Sequence, residues 1–138
     1  GREAIDVAAE TGINAWSGPQ TLFLPADPDD AAIARAAALA RTARHVALLV
    51  TDARKNPGHR RLAEALAQAA GDNLALVAAE SPYDLPLLPR AGARLAIYGE
   101  TPAGMEALGR ALFTPFRPGG RCPVAMPQAA TTPQSRPN

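Results

Sequence analysis

Four acidic side chains stand where strands are expected to end, and acidic pairs in such positions can cleave glycosidic bonds. These four are Asp52, Glu80, Asp84 and Glu100. Because neighbouring parallel strands end at one edge of a sheet, we expect some of these carboxylates to share a rim. Two carboxylates can hydrolyse a glycoside when one is the acid and the other is the nucleophile or base. Glycoside hydrolysis is therefore one chemistry that the spacing suggests.

Structural roles explain two of these four carboxylates without catalysis. Asp84 can cap a short helix that begins after Tyr83, and Glu100 directly precedes another expected helix. Capping and turn stabilisation are common roles for acidic residues in such positions. No capping role is predicted for Glu80, so Glu80 is a weak candidate for a catalytic carboxylate and keeps the catalytic alternative open.

Two other kinds of site are weakly supported by the sequence. Ser81, His59 and Asp84 could form a hydrolytic triad, but Ser81 lacks the flanking glycines that expose the nucleophile in α/β hydrolases. His45 and His59 each lack a second histidine at the spacing of metal ligands. We therefore predict structural roles for both histidines and no metal site.

Nucleotide-binding motifs are absent from the turns that follow the strands. Neither Thr51 to Asn56 nor Ala79 to Asp84 carries the glycine-rich sequence that lets a backbone approach a pyrophosphate. Lys55, the only lysine, is not part of a phosphate-binding loop. The sequence therefore predicts no nucleotide cofactor, and no other cofactor is indicated.

Short apolar runs alternate with helical patterns along the chain, which is typical of an α/β fold. Strands are predicted at Thr21–Leu24, Val46–Val50, Leu74–Ala79 and Arg94–Tyr98. Helices are predicted at Arg2–Glu10, after Asp27–Asp30, after Asn56 and after Thr101. Continuous rather than alternating apolar runs indicate strands that are covered on both faces. We predict a three-layer α/β/α sandwich with a mainly parallel sheet.

Three predicted helices begin with recognisable capping residues. Asp27–Asp30 supplies an N-cap and first-turn acids, which suit the positive end of the helix dipole. Asn56 and Thr101 are each followed by a proline, which fits the first helical position because its missing N–H is not needed there. These signals define the starts of the helices better than their ends.

Length and charge exclude several classes of protein. A chain of 138 residues suits one domain, and 14 basic against 13 acidic residues lack the basic excess of a nucleic-acid-binding protein. No apolar run reaches membrane-spanning length and no signal peptide opens the chain, so we expect a soluble protein and favour the cytoplasm. Cys122, the only cysteine, excludes an intramolecular disulfide and does not determine the compartment. Because Gly1 stands first, we expect a processed or trimmed product, or a segment of a longer protein.

Ordered short motifs resemble a known family over about residues 20 to 124. The motifs are Ser81–Leu85, Tyr98–Pro102, Met105–Leu108 with Leu112–Phe113, and Pro118–Val124. Together they resemble the C-terminal domain of glycoside hydrolase family 3, in its bacterial β-N-acetylglucosaminidase or β-hexosaminidase branch. Each motif is short, and the specificity comes from their order.

The resemblance implies a layered α/β domain that follows a catalytic (β/α)8 barrel. In that family the nucleophilic aspartate lies on the barrel. The glucosidase branch takes its acid/base glutamate from the second domain, whereas the N-acetylglucosaminidase branch uses an Asp-His pair on a barrel loop. Nothing in this chain matches that loop, and a barrel of typically ~250 residues does not fit into 138.

We therefore expect an accessory domain without a complete active site. The domain spans residues 1–126, with a leading helix and linker over 1–19, and residues 127–138 form a disordered tail. Its expected partners are the barrel and, through the full enzyme, a glycan that contains N-acetylglucosamine. Neither nucleic acid nor a membrane is an expected partner.

The strand-end residues would then face the barrel or shape the rim of its pocket. This predicted rim consists of Asp52, Glu80, Tyr83, Asp84 and Glu100. An exposed surface of this kind could also lead the isolated chain to self-associate. Two alternatives remain open: a stand-alone module that binds a sugar or a protein, and a small hydrolase that uses the strand-end carboxylates.

Overall fold

A computed structural model describes residues 21–126, which form three helices and three strands. In chain order these are α1 (Asp30–Thr42), β1 (Val46–Val50), α2 (Pro57–Ala70), β2 (Leu74–Ala78), β3 (Ala93–Ala96) and α3 (Pro102–Phe113). Two 3-10 turns, Gly71–Asn73 and Pro82–Leu87, flank β2. The predicted leading helix Arg2–Glu10 and the predicted disordered tail 127–138 lie outside the described residues.

The described residues contain one parallel sheet with the strand order β1-β2-β3. Val46 pairs with Leu74 in the first ladder, and Ala75 pairs with Ala93 in the second. Every residue of the central strand β2 is buried, as a strand covered on both faces requires. Three of the four predicted strands are thereby confirmed, with β2 and β3 ending one and two residues earlier than predicted.

The predicted strand at Thr21–Leu24 is wrong. These residues form no strand in the structure, and the side chains of Leu22 and Phe23 are 42% and 44% exposed. Only Leu24 packs on the core. A strand of four residues needs a neighbouring strand for its backbone hydrogen bonds, and no such pairing forms here.

Alternate residues of each strand point to opposite faces of the sheet, and each face packs on helices. On one face, Leu74 and Leu76 join a core with Leu62 and Leu66 of α2 and the small α1 residues Ala36 and Ala40. On the other face, Val77 packs against Met105 and Leu108 of α3. The sheet therefore lies between helix layers, which confirms the predicted three-layer α/β/α fold.

Two of the three predicted helix caps form as expected. The Asp29 carboxylate accepts a hydrogen bond from the Ala32 N–H at 2.7 Å, and the Thr101 hydroxyl accepts one from the Gly104 N–H at 3.1 Å. Pro57 begins α2, but Asn56 makes no side-chain cap. The Asn56 amide instead donates to the carbonyl oxygens of Thr51 and Asp52, both at 3.2 Å. It thereby stabilises the turn that leads into α2.

Arg61 joins α2 to the segment that precedes α1. Its guanidinium donates to Asp27 Oδ1 at 3.0 Å, to the Pro28 carbonyl at 3.1 Å and to Asp30 Oδ1 at 3.2 Å. Gly58 permits this close approach, because a Cβ there would lie 2.8 Å from the Ala26 carbonyl oxygen. The two helices on this face are thus held together at their N-terminal ends.

Within residues 21–126, none of the helices has the length and apolar character that crossing a membrane would require.

Candidate functional site

The carboxyl ends of β1 and β2 form one rim, where the backbone of the two strands stays paired. The Ala79 N–H donates to the Val50 carbonyl at 2.9 Å, just before the two chains diverge. Beyond that point lies a half-open cleft of about 360 Å³, which we call the strand-end cleft. It is lined by Asp52, Arg54, Lys55, Glu80, Ser81, Tyr83 and Asp84. Four of the five predicted rim residues therefore lie together, and Glu100 is not among the lining residues.

Asp84 is the buried member of the cleft, with only 3% of its surface exposed. Its Oδ1 atom accepts a hydrogen bond from the Ala53 N–H at 2.8 Å, across 31 residues of sequence. This bond ties the turn after β2 to the turn after β1. The other oxygen, Oδ2, has no hydrogen-bond partner among residues 21–126.

The predicted capping role of Asp84 is wrong. Ser81 is the N-cap of the 3-10 turn Pro82–Leu87, and its hydroxyl accepts a hydrogen bond from the Tyr83 N–H at 3.3 Å. A buried backbone N–H needs a partner, and the Ala53 N–H finds it in Asp84 rather than in a nearby carbonyl. Tertiary contacts thus override the local preference of an acidic residue for a helix start.

Asp52 and Lys55, in the turn after β1, form an ion pair with 2.9 Å between Asp52 Oδ2 and Lys55 Nζ. The hydrogen bond from Lys55 lowers the pKa of Asp52, and the same contact raises the pKa of Lys55. Asp52 has a left-handed backbone with φ of 50°, and its carbonyl accepts hydrogen bonds from the N–H groups of Lys55 and Asn56. A carboxyl with a lowered pKa donates protons poorly near neutral pH, so Asp52 is unsuited to the role of general acid.

Glu80 and Tyr83 are exposed in the strand-end cleft, as are the two basic residues Arg54 and Lys55. Glu80 lies close enough to Lys55 for its charge to raise the pKa of that lysine further. The Tyr83 side chain is 44% exposed, which is high for an aromatic residue next to a buried carboxylate. The acid of a glycosidase is commonly shielded from water in an apolar pocket. Glu80 has no such shielding.

Glu100 lies in the turn after β3, which is built mainly by the backbone. Tyr98 has φ of 56° and Gly99 has φ of 140°, and the Gly99 N–H donates to the Ala79 carbonyl at 2.6 Å. Thr101 then caps α3. Glu100 itself is partly buried just before that cap. The fifth predicted rim residue is therefore positioned by a different turn from the other four.

The alternative triad of Ser81, His59 and Asp84 does not form. Asp84 is bonded to Ala53, and neither Asp84 Oδ2 nor His59 Nδ1 has a hydrogen-bond partner among the described residues. In the same part of the chain, no group of three or more His, Cys, Asp or Glu side chains could hold a metal ion. The His45 side chain is exposed at the start of β1.

Sequence reasoning missed the basic side of the cleft and one contact of Cys122. The Asp52 and Lys55 pair is spaced i, i+3 within one turn, a spacing that could have indicated it. The pKa of Cys122 is lowered mainly by a hydrogen bond from the Tyr98 hydroxyl and, to a smaller extent, by one from the Val124 backbone. The pKa of Tyr98 is raised by the same contact. The Cys122 thiol therefore lies next to Tyr98, in the turn that follows β3.

These observations define the class of domain: an α/β sandwich with a charged cleft at the ends of its strands. In its structure the chain is similar to part of a glycoside hydrolase family 3 β-N-acetylglucosaminidase from Paenibacillus sp. str. FPU-7. The TM-score is 0.65 at 26% sequence identity, and the match covers 72% of this chain. It covers 19% of the Paenibacillus chain, so this chain corresponds to a small part of that enzyme. No protein-family model and no curated protein matches the sequence.

Proposed function

We propose that this chain is the accessory C-terminal α/β domain of a family 3 glycoside hydrolase of the β-N-acetylglucosaminidase or β-hexosaminidase type. The observation that supports this most is the structural match, which covers 72% of this chain but only 19% of the Paenibacillus enzyme. In this proposal a catalytic (β/α)8 barrel, supplied by another part of the enzyme, packs on the strand-end rim. The glycan then reaches the domain only through the full enzyme.

The positions of the family-like motifs support the proposed orientation. Ser81–Leu85 follows β2 and Tyr98–Pro102 follows β3, so both occupy turns at the carboxyl ends of strands. In open α/β sheets these ends are where ligands and partner groups are bound. The proposed barrel contact therefore involves the strand-end cleft on one side and Glu100 on the other.

The chemistry of the cleft favours an accessory role over independent catalysis. Glycoside hydrolysis needs two carboxylates with separate roles. Asp52 is paired with Lys55, and Asp84 is buried and bonded to the Ala53 backbone. Of the three carboxylates that line the cleft, only Glu80 is exposed and without an ion pair to another described residue. One such carboxylate is not enough for either known mechanism, and we assign the catalytic steps to the barrel.

Activity assays test this proposal directly. The 138-residue chain alone should not hydrolyse 4-nitrophenyl N-acetylglucosaminide, whereas the product of the complete gene should. Deleting this segment from the complete protein should lower its activity or its melting temperature. Turnover by the isolated chain, or a gene that encodes no barrel, would overturn the accessory role.

Substitutions in the complete enzyme test the proposed orientation. Tyr83→Ala and Glu100→Gln should alter activity or weaken the association of the two domains, because both residues lie on the proposed contact. Glu64→Gln is the matched control, since Glu64 is an exposed glutamate on α2, away from the strand ends. Unchanged kinetics and unchanged stability in both rim variants would rule out docking through this edge.

A stand-alone binding module is the second candidate, and Asp84 Oδ2 is the observation that favours it. A buried acceptor without a partner in the cleft is a suitable point for a sugar hydroxyl or a protein donor to bind. Under this alternative the isolated chain would bind a sugar or a protein without turning over any glycoside. The same whole-gene comparison separates the two candidates, because a module of this kind needs no barrel.

A further inference from the structure

Asp84 is a buried carboxylate that is only half satisfied by the rest of the domain. Its Oδ1 atom accepts from the Ala53 N–H, while Oδ2 is buried and has no hydrogen-bond partner among residues 21–126. Native proteins rarely leave such an atom without a protein, water or ligand partner, because its lost hydration is not replaced. Asp84 also lines the strand-end cleft. The lining of the cleft therefore includes a carboxylate with one oxygen whose hydrogen-bonding capacity is unused among residues 21–126.

The charges around the cleft favour a cationic donor. Asp52 and Lys55 neutralise each other at 2.9 Å, and the charge of Arg54 acts on Asp52, whose pKa it helps to lower. The two remaining carboxylates, Glu80 and Asp84, make no ion pair within the described part of the chain. The lining thus carries three carboxylates against two cations, and the negative excess lies on the side that follows β2.

The exposed ring of Tyr83 adds a surface on which a flat cation can lie. Tyr83 lines the same cleft, directly precedes Asp84 in sequence and is 44% exposed. Aromatic faces attract cations, and arginine is the more frequent partner because its planar guanidinium can stack on the ring. A guanidinium also donates several N–H groups in a fixed plane, so it can bond a carboxylate while stacked.

We propose that the strand-end cleft accepts an arginine side chain of the polypeptide that packs on this rim. The guanidinium donates a hydrogen bond to Asp84 Oδ2 and lies against the Tyr83 ring, with Glu80 adding a further negative charge. The inference rests on the proposed function in one respect, since the barrel is the expected source of this arginine. It specifies the chemistry of that contact, which the accessory role by itself does not.

Titration of the 138-residue chain with ethylguanidinium chloride, followed by amide NMR, tests the inference without any barrel. We expect saturable shifts of the Ala53, Tyr83 and Asp84 amides, with weaker binding of ethylammonium at matched ionic strength. Asp84→Asn should weaken the binding by about tenfold, because it keeps an acceptor for Ala53 but replaces Oδ2 with a donor. Asp72→Asn is the matched control, since Asp72 is exposed in the turn before β2, at the other end of the sheet.

Tyr83→Leu keeps the test decisive if Asp84→Asn does not fold. Tyr83 is exposed, so this variant should fold and should bind ethylguanidinium several times more weakly. Shifts that fail to saturate, equal affinity for ethylammonium, or unchanged affinity in Tyr83→Leu would overturn the arginine inference. Those results would leave the accessory role standing. Hydrolysis of an N-acetylglucosaminide by the isolated chain would instead overturn the accessory role and leave the guanidinium titration unaffected.

Discussion

The turns after β2 and β3 follow neighbouring parallel strands, and each contains a glutamate and a tyrosine, but they are held in different ways. In the turn after β2, the Asp84 side chain crosses to the Ala53 backbone, which belongs to the turn after β1. In the turn after β3, the left-handed conformations of Tyr98 and Gly99 return the Gly99 N–H to the Ala79 carbonyl. One turn is held by a side-chain contact to the β1 turn, and the other mainly by its backbone conformation and a backbone hydrogen bond to the end of β2.

Because of this difference, the β2 turn leaves side chains available to bind a partner, whereas the β3 turn uses its groups mainly to stabilise the fold. The side-chain contact in the β2 turn uses only one oxygen of Asp84 and leaves a cleft with Glu80 and Tyr83 exposed. In the β3 turn the backbone groups and the Thr101 hydroxyl are already used for the turn and for the cap of α3. The β2 turn is therefore where we expect recognition, and the β3 turn supports it from the neighbouring strand.

Removing the Asp84 side chain should give the largest effect. We expect Asp84→Ala to lower the free energy of unfolding by about 2 kcal/mol, because the buried Ala53 N–H loses its acceptor. Urea denaturation of the chain measures this loss. Glu80→Ala, at an exposed position in the same turn, is the control and should change stability by less than about 0.5 kcal/mol. A more stable Asp84→Ala variant would mean that the unpartnered Oδ2 costs more than the Ala53 bond contributes.

Replacing Gly99 tests how far the backbone conformation of the β3 turn contributes to stability. Gly99→Ala should lower the free energy of unfolding by roughly 1 to 2 kcal/mol, because Gly99 has φ of 140°, which residues with a Cβ rarely adopt. The nearest atom to the added Cβ is 4.0 Å away, so steric contact does not contribute. Gly120→Ala is the control, since nothing lies within 4 Å of its Cβ position. Equal stability of both variants would contradict a turn held by its backbone.

The two capping hydroxyls allow a direct comparison of the turns. Thr101→Ala should cost about 1 kcal/mol, because the hydroxyl caps a helix of 12 residues through a bond of 3.1 Å to the Gly104 N–H. Ser81→Ala should cost less, since its bond to the Tyr83 N–H is longer, at 3.3 Å, and caps only a short 3-10 turn. Thermal unfolding of both variants tests this order. A larger loss in Ser81→Ala would show that the β2 turn depends on its cap as well as on Asp84.

The sequence predicted most of the sheet because buried parallel strands have a simple pattern. β1 has the predicted bounds, since its apolar run ends at a polar turn. β3 ends before Tyr98, whose left-handed backbone cannot continue a strand and is not evident from residue types. Thr21–Leu24 has the composition of a strand, but a short apolar run does not reveal whether a pairing neighbour exists.

The candidate site was predictable in its position and unpredictable in its contacts. Parallel topology alone places Asp52, Glu80 and Asp84 on one rim, because consecutive strands end on the same side. The role of Asp84 depends on a hydrogen bond that spans 31 residues, and no local rule anticipates such a bond. The local rule predicted a cap instead, and Ser81, three residues earlier, makes that cap. Contacts between elements distant in sequence therefore account for the misassigned residue.

The smallest expected effect concerns the contact between Tyr98 at the end of β3 and Cys122. The Tyr98 hydroxyl stabilises the Cys122 thiolate, so Tyr98→Phe should raise the pKa of that thiol toward its usual value. At pH values slightly below the usual thiol pKa, the alkylation rate with iodoacetamide should therefore fall in the variant. Tyr83→Phe, in the β2 turn, is the matched control and should leave the rate unchanged.

The pH dependence of this contact has a definite sign. A lowered Cys122 pKa gives stabilisation that is present above the thiol pKa of the unfolded chain and is lost as the pH falls through the folded value. The raised pKa of Tyr98 keeps its hydroxyl protonated to higher pH, and the contact is lost as the pH rises through that raised value, because a phenolate cannot donate to a thiolate. The alkylation profile of the unsubstituted chain should thus lie at lower pH than that of Tyr98→Phe. Coinciding profiles would mean that Cys122 is not held against the β3 turn.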